Sequence, residues 1–481
     1  MNAKHSYVIL VALVASLGGL LFGYDTAVIA GAEQSVQLYL VESLGFGSLI
    51  HGLTVSSALA GCIIGAFLSG KLSNNIGRRN TLIIAAILFA ISALGSAYPE
   101  LFFFTVGDPT LSLLVTFNLY RILGGIGVGL ASAIAPVYIS EMSPQHIRGR
   151  LVVLYNMSVV VGQTVVYIVN WLITLDQPVS WINETGWRYM FASELFPAAL
   201  FFFLLFFIPE TPRYLAIKHQ ESKAFNVLEK LHGSKQTADE ILGSIKYTLR
   251  VQSEKFNLFY YGKKVLIVGI TIAMLQQFIG INVILYYAPR IFESLGAGQS
   301  TSMLQTVLVG VIGVVISLLA IRLVDTAGRK FLLLLGSAVS AICLIAVATL
   351  FLSGVYGIST LIFILGFVAI FQMTWGPITW VMLSEIFPNK IRGQAMSIAV
   401  TLHWGANLAA SSTFPPLNEA FGAASFFIYG AISTLAFLFV WKFVPETKNK
   451  SLEEIENIWL DDVKVSKERD YEENEVVSKH D

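Results

Sequence analysis

The sequence predicts an all-α membrane protein with twelve transmembrane helices arranged as two six-helix halves. Of its 481 residues, 55% are hydrophobic and 13% are charged, and the mean hydropathy is +0.69. A soluble chain needs more charge to cover its surface, so this composition places the protein in the membrane class. Two further observations give the architecture: apolar runs recur along the chain, and short charged motifs recur in the same order after equivalent runs.

Twelve apolar runs approach or exceed the roughly 20 residues that a spanning helix needs. They lie at 7–31, 50–70, 80–98, 112–139, 151–174, 189–208, 264–288, 302–323, 331–353, 359–384, 393–414 and 423–443. The first run is too long for a cleaved signal peptide and lacks a convincing cleavage site, so we expect it to be retained. The predicted domains are a first half at 1–212, a linker with short amphipathic helices at 213–263, a second half at 264–446 and a charged tail at 447–481.

The loops between the runs differ in their content of Lys and Arg. Alternate loops contain neither residue, namely 32–49, 99–111, 175–187, 354–358 and 415–422. The loops on the other side are rich in both, as at Arg78, Arg148, Arg329 and Arg392. Because cytoplasmic loops carry the excess of positive charge, we predict a multi-pass protein of the inner or plasma membrane with both termini and the linker in the cytoplasm.

Several functional classes lack support in the sequence. The formal net charge is zero, which gives no reason to expect a nucleic-acid partner. Cys62 and Cys343 lie in apolar runs, where buried hydrophobic side chains are the expected role, and two cysteines make no disulfide framework. We find no phosphate-binding loop, metal-ligand cluster or nucleophile beside a base. The sequence therefore predicts no enzyme, no metal site, no cofactor and no ATP-driven transport by this chain alone.

Charged motifs repeat after equivalent runs of the two halves. The pairs are Gly77-Arg78-Arg79 with Gly328-Arg329-Lys330, Glu141 and Arg148 with Glu385 and Arg392, and Pro209-Glu210-Thr211 with Pro445-Glu446-Thr447. Three motifs in one order indicate two parallel repeats, and such repeats usually enclose a central site near the membrane midplane.

The carboxylates of these motifs lie beside arginines at helix ends, where bidentate ion pairs have good geometry. Pairs that form in one state and break in another would act as a cytoplasmic latch. Helix caps and topology markers of small individual effect are the alternative interpretation. The residues assigned to the latch are Arg78, Glu141, Arg148, Glu210, Arg329, Glu385, Arg392 and Glu446.

These motifs, taken together from about residue 7 to 459, resemble those of the sugar porters of the major facilitator superfamily. The segments 18–29, 186–194 and 276–282 are similar to those of proton-coupled bacterial members. The resemblance implies a symporter that moves a proton with a monosaccharide, D-xylose or a similar pentose or hexose, by alternating access. The implied partners are the sugar, the proton and the lipid bilayer, and we expect the chain to work as a monomer.

A sugar site needs amides, which both donate and accept, and flat aromatic rings for the apolar face of the sugar. Among the amides in the apolar runs, the candidates for such a site are Gln163, Gln276, Gln277 and Asn282. Asn282 and Tyr286 are four residues apart and share a helical face, and Gly280 permits local unwinding between them and the two glutamines. Interhelical hydrogen bonding by the amides and packing or interfacial roles for the tryptophans are the alternatives.

The resemblance implies a larger set of sugar contacts. These are Phe22, Gln163, Gln276, Gln277, Asn282, Gly376, Trp380 and Trp404, with Tyr286 lining the site and its extracellular gate. Pro377 lies beside Gly376 and is expected to break the helix there. Two positions depart from the pattern of xylose-transporting members: His403 replaces a glutamine, and Gly313 replaces an asparagine. Because His403 keeps one donor and one acceptor when neutral, we include it in the site.

Charges inside the apolar runs mark a candidate proton site. Asp25 lies in the first run, Arg121 in the fourth and Glu194 early in the sixth. Buried charges in a membrane are costly and are functional candidates with partners to be named. We predict that protonation of Asp25 releases Arg121 and that Glu194 tunes or relays the proton. A static salt bridge is the alternative. The resemblance favours coupling, because passive facilitators typically carry Asn at position 25.

Two other functions are considered. An uncoupled facilitator would use Asp25 and Arg121 for structure only. A non-transporting sugar sensor usually carries long soluble extensions, and the tail after residue 447 is short.

Overall fold

The computed structural model describes residues 3–101, 104–251, 258–355, 357–448, 450 and 454–460. Across these residues the chain is helical and has no β-strand. Eleven apolar helical segments are long enough to cross a membrane, and the last, Arg392–Phe443, has 52 residues. A 3₁₀ turn at Gly422–Ser425 divides that segment into two spans, so the predicted twelve spans are confirmed. The part of the predicted tail beyond residue 460 lies outside the described residues.

The spans keep the predicted order and differ from the predicted bounds by a few residues at their ends. They are Ala3–Val36; Ser48–Val55 with Ser57–Ile76; Arg78–Ala97; Leu111–Met142; Gln145–Thr174; Trp187–Ser193 with Leu195–Leu205; Lys263–Phe278 with Ile281–Ser294; Gln299–Ala327; Arg329–Leu352; Ile358–Met373 with Trp375–Ile386; Arg392–Phe421; and Phe426–Phe443. The segment between the sixth and seventh spans forms the helices Pro212–Ile217, Glu221–His232 and Lys235–Val251.

Two spans of the second half are interrupted inside the bundle. The seventh span breaks at Gly280, whose φ of +98° favours glycine, and a Cβ there would lie 2.7 Å from the ring of Tyr429. The tenth span breaks at Thr374, where φ is −121° and ψ is −85°. The break therefore precedes Pro377, which lies in the first turn of the following helix, where its missing N–H is tolerated. Interrupted helices free backbone groups for a site in the membrane.

Glycines allow the spans of the first half to pack closely around one centre. A Cβ on Gly125 of the fourth span would lie 1.8 Å from the carbonyl oxygen of Ala58 in the second. A Cβ on Gly23 of the first span would lie 1.9 Å from the carbonyl oxygen of Val159 in the fifth. Small residues let membrane helices approach to such distances. This packing brings the polar residues of the first, fourth and fifth spans together.

Candidate functional site

Asp25 and Arg121 form a buried ion pair between the first and fourth spans. Arg121 Nη1 lies 2.8 Å from Asp25 Oδ1, and its Nη2 donates to the backbone oxygen of Asp25 at 3.0 Å. The two side chains are 0% and 1% exposed. The guanidinium also lies 5.3 Å from the centre of the Phe191 ring. Losing either charge of a pair so fully removed from solvent would leave the other buried and uncompensated, which is strongly destabilising.

Glu194 joins this pair from the sixth span. Its side chain is fully buried, and its electrostatic neighbours are Asp25 and Arg121. Two ionised carboxylates beside one guanidinium would leave a net negative charge in a dry site. Holding one proton on the two carboxyl groups removes that charge. The structure thus brings together all three residues of the predicted proton site, in an arrangement that can bind one proton.

A chain of amides lies at the break in the seventh span. Gln277 Nε2 donates to Gln276 Oε1 at 2.6 Å, and Asn282 Nδ2 donates to Gln277 Oε1 at 2.6 Å. Gln277 Nε2 also lies 3.2 Å from Nε2 of His403. The other ring nitrogen of His403 lies 3.2 Å from the carbonyl oxygen of Ala273. Since a carbonyl only accepts, Nδ1 carries the proton and Nε2 accepts from Gln277. The amino group of Gln277 thus makes two contacts within the protein, which leaves the Gln276 amino group, the Asn282 oxygen and one lone pair of Gln277 Oε1 for a ligand.

Aromatic rings extend from this amide chain. Trp404 lies 5.6 Å from Phe22 and 5.6 Å from His403, measured between ring centres. Trp380 lies 5.0 Å from His403. Trp380 is 37% exposed, so part of its ring is not covered by other side chains. The first, tenth and eleventh spans thus present aromatic faces beside the free amide groups, as a sugar site requires.

The remaining predicted sugar residues border the same region. Gln163 is partly exposed, and its backbone packs against Gly23. Gly376 follows the break in the tenth span, and a Cβ there would lie 3.3 Å from Oε1 of Gln372. Tyr286 is one helical turn beyond Asn282, and its neighbours include Asn407, Arg121 and Asp25. Tyr286 therefore lies one turn from the amide chain and within electrostatic reach of the buried ion pair.

The repeated charged motifs gather at one end of the bundle, here called the motif face. Arg78 makes two contacts with Glu141, at 3.1 Å and 3.2 Å, and Arg329 lies 3.1 Å from Glu385. The predicted pairs are present here, each within its own half of the sequence. Arg148 and Arg392 instead donate to backbone oxygens.

Glu210 and Glu446 of the motif face act as helix caps. Glu210 accepts from the backbone N–H groups of Arg78 and Arg79 at the start of the third span. Glu446 accepts from those of Arg329 and Lys330 at the start of the ninth. A carboxylate at a helix N-terminus satisfies N–H groups that lack a partner within the helix. For these two residues the structure shows the capping role that was the alternative interpretation.

The other end of the bundle, here called the opposite face, contains a charged cluster that sequence reasoning missed. Glu33 of the first span is 0% exposed and lies 2.8 Å from Arg290 of the seventh. Its other neighbour is the fully buried His51 of the second span, at 3.1 Å. Gln34 donates to Glu293 at 2.7 Å. One feature of the sequence was consistent with this cluster: charged residues near the ends of the apolar runs occur in both halves.

A second missed pair lies on the opposite face within the first half. Arg188 donates to both carboxylate oxygens of Glu100, at 2.9 Å and 2.6 Å. Burial raises the pKa of Glu100, but the hydrogen bonds from Arg188 and from Tyr39 outweigh it, so this pKa lies below its usual value.

The known proteins that this chain resembles also include sugar transporters. A family model described as "Sugar (and other) transporter" matches residues 11–459. The D-xylose-proton symporter of Escherichia coli K12 is 45% identical over 484 aligned positions, covering 96% of this chain and 98% of that protein. The arabinose-proton symporter of Bacillus subtilis 168 is 40% identical over 467 positions, covering 96% and 97%. An inward-open structure of the xylose transporter of E. coli matches with a TM-score of 0.87 and 45% identity, covering 94% of this chain and 100% of that one.

Proposed function

The chain belongs to the sugar transporter family, and from this premise we propose that it is a proton-coupled monosaccharide symporter that works by alternating access. It is a transporter rather than an enzyme. One observation supports the proton coupling: Asp25, Arg121 and Glu194 form a fully buried group that can bind one proton. A passive facilitator has no need of a second buried carboxylate beside an ion pair, since each buried charge is costly.

The proposed sugar site adjoins the proton site. It consists of Phe22, Gln163, Gln276, Gln277, Asn282, Tyr286, Gly376, Trp380, His403 and Trp404. Free amide groups beside exposed aromatic faces suit the hydroxyls and the apolar face of a monosaccharide. D-xylose or a similar pentose or hexose is the proposed substrate, because the relatives named for D-xylose and arabinose share the length of the chain. One chain contains the whole site, which supports function as a monomer.

We propose that the motif face is cytoplasmic and that the protein lies in the plasma membrane with both termini inside. The excess of Lys and Arg in the loops of that face supports this orientation. We further propose that residues 1–212 and 264–446 form two rocking halves. Contacts between the halves on the opposite face, together with the similarity to an inward-open relative, support an inward-open state.

The proposed gate on the motif face comprises the ends of the two halves. Its residues are Arg78, Glu141, Arg148, Glu210, Arg329, Glu385, Arg392 and Glu446. In the present state their contacts hold each half together, as in Arg78–Glu141 and Arg329–Glu385. Closure of the motif face would bring the charged residues of the first half into contact with those of the second half. The ion pairs that these residues form would then change.

Asp25→Asn tests the coupling in proteoliposomes. With a proton gradient imposed, acid outside, the wild-type protein should accumulate labelled xylose or a related sugar. The variant should exchange sugar across the membrane but fail to accumulate it, because residue 25 no longer titrates. Asp108→Asn, in an exposed loop, is the matched control and should behave as the wild type. Normal accumulation by Asp25→Asn would sink the coupling proposal and favour a facilitator. Absence of any sugar exchange by the wild type would favour a sensor.

A further inference from the structure

We propose that Ser92 of the third span belongs to the proton site, where its hydroxyl donates a hydrogen bond to the ionised carboxylate of Asp25. Ser92 is thus a positioning residue, which sets how tightly Asp25 holds the proton. This inference rests on the proposed function and deepens it, because it adds a neutral neighbour to the group that takes up the proton. Neither the charged motifs nor the resemblance pointed to Ser92. It is identified by a close contact at a glycine of the fourth span.

The first observation is the contact at Gly124, three residues beyond Arg121. A Cβ built on this glycine would lie 2.4 Å from the hydroxyl oxygen of Ser92 and 3.0 Å from Oδ1 of Asp25. The two oxygens are therefore separated by no more than the sum of these distances, which a direct hydrogen bond or one bridging water can span. The missing side chain of Gly124 thus lets the third span bring a hydroxyl to the carboxylate of the first.

The second observation is that the Ser92 hydroxyl is buried and available. Ser92 is 0% exposed, and its oxygen has no hydrogen-bond partner among the described residues. Other serines within the spans, such as Ser158 and Ser433, donate to the carbonyl four residues earlier in their own helix. A buried polar group without a partner is costly, so the Ser92 hydroxyl is expected to bind a group beside it.

The third observation is the unused hydrogen-bonding capacity of Asp25. Its Oδ1 accepts from Arg121, and a carboxylate oxygen can accept two hydrogen bonds. Glu194, the other neighbour of Asp25, is a second carboxyl group and can donate only when it holds the proton. A hydroxyl donates to an ionised carboxylate and can accept from a protonated one, so Ser92 suits both states. Because hydrogen bonds to a charged group are the stronger ones, the contact favours the ionised state.

The other ionisable side chains around the proton site leave its charge unchanged. They belong to the first, second and seventh spans and are Tyr24, Cys62 and Tyr286. Phenol and thiol groups are predominantly neutral at neutral pH. The charge therefore stays with the three residues of the proton site, and removing the Ser92 hydroxyl alters the hydrogen bonding without altering the charge.

The internal repeat provides a comparison between the two halves. Ser92 lies fifteen residues after Gly77, and the residue fifteen positions after the corresponding Gly328 is Cys343. A thiol is a much weaker hydrogen-bond donor than a hydroxyl. At this position the stronger donor thus occurs in the half that contains the buried carboxylates.

Ser92→Ala tests the assignment in proteoliposomes that contain the full-length protein. Uptake of labelled xylose or a related sugar is measured while the pH outside is varied. We expect the pH of half-maximal uptake to rise by about one unit, which is a tenfold gain in proton affinity, because the ionised state loses a charge-assisted hydrogen bond.

The matched control is Ser340→Ala in the ninth span, which corresponds to the third span in the second half. Ser340 is also 0% exposed, and within the described part of the chain its hydroxyl likewise has no partner. The second half contributes no residue to the proposed proton site, so the pH of half-maximal uptake should equal that of the wild type.

Infrared spectroscopy of the purified protein gives a readout that a merely structural role of Ser92 would not change. The C=O stretching band of the protonated carboxyl group, identified by its loss in Asp25→Asn, should move to a higher frequency in Ser92→Ala because a hydrogen bond is lost. If Ser92→Ala left either this band or the pH of half-maximal uptake as in the wild type, the assignment would be wrong. If uptake by the wild type did not depend on pH, the proposed coupling itself would fail.

Discussion

The two faces of the bundle use their charged residues differently. On the opposite face, Glu33 and Arg290 join the first span to the seventh, so the ion pair crosses from one half of the sequence to the other. On the motif face, Arg78–Glu141 and Arg329–Glu385 each stay within one half. The opposite face is thus held closed between the halves, while the charges of the motif face hold each half together.

Backbone packing also shows that the two halves meet on the opposite face, independently of any charged residue. A Cβ on Gly52 of the second span would lie 2.1 Å from the carbonyl oxygen of Ser412 in the eleventh. Such an approach is possible only with the opposite face closed. The opposite face is therefore held closed at a few crossings between the halves, and changes at those crossings should affect transport more than equally severe changes elsewhere.

Gly52→Phe should give the largest effect. A ring at this position would collide with the backbone of the eleventh span, which cannot move aside without opening the opposite face. We expect transport in proteoliposomes to fall by about 100-fold or more, since overpacking of this kind costs several kcal/mol. Sugar binding should fall much less than transport, because Gly52 supplies no side chain to the proposed site. The matched control is Gly298→Phe, where no atom lies within 4 Å of the added Cβ. Normal transport by Gly52→Phe would contradict closure at this crossing.

Glu33→Gln should give the second-largest effect, a shift in the equilibrium between the closed and the open state of the opposite face. It leaves Arg290 without its buried counter-charge, and breaking such a pair costs about 3 kcal/mol, or roughly a 100-fold shift in equilibrium. The cost falls on the closed opposite face alone. Spin labels at Glu184→Cys and Ser300→Cys, both exposed on that face, should move apart.

The control for this shift is Asp108→Asn, which removes an exposed carboxylate from the same face. Its label distances should match those of the unsubstituted protein. Arg290→Gln added to Glu33→Gln should recover part of the closed population, because no unpaired charge remains. An unchanged distance distribution for Glu33→Gln would show that this pair does not hold the face closed.

Glu100 should give the smallest effect, since its pair with Arg188 stays within one half. Its pKa in the folded protein lies below the usual value of 4.5. The ionised pair therefore stabilises the fold fully above that pH, and its contribution is lost as the pH falls through the folded pKa. The melting temperature of Glu100→Gln should lie below that of the wild type above about pH 5, and the gap should narrow below about pH 4. If the gap in melting temperature widened in acid, the assigned direction of the Glu100 pKa would be wrong.

The number and order of the spans could be predicted from sequence because the membrane imposes a length and an apolar composition on each. Asp25 and Arg121 stood out for the same reason, as charges deep in apolar runs. Glu33 and Arg290 did not, because charges near the ends of runs are usually solvated. Only packing of the first span against the seventh shows that Glu33 is dry.

The polar interior was predictable as a set of residues but not as a network. Residue spacing gives the face shared by Asn282 and Tyr286, whereas the rotation of the seventh span against the eleventh decides that Gln277 meets His403. The break in the tenth span was expected at Pro377 and lies at Thr374, which has no strong breaking tendency.

Tyr286 lies one turn from the amide chain and within electrostatic reach of the buried ion pair, and this position has a thermodynamic consequence. A side chain shared by two sites makes their occupancies interdependent, and such interdependence is reciprocal. If binding of sugar tightens the hold on a proton, binding of the proton must tighten the hold on sugar by the same factor. The slope of the logarithm of the sugar's association constant against pH then equals minus the number of protons taken up as the sugar binds. Proton release or uptake, measured as sugar is added to the protein without buffer, therefore gives the linkage between sugar binding and proton binding in the absence of transport.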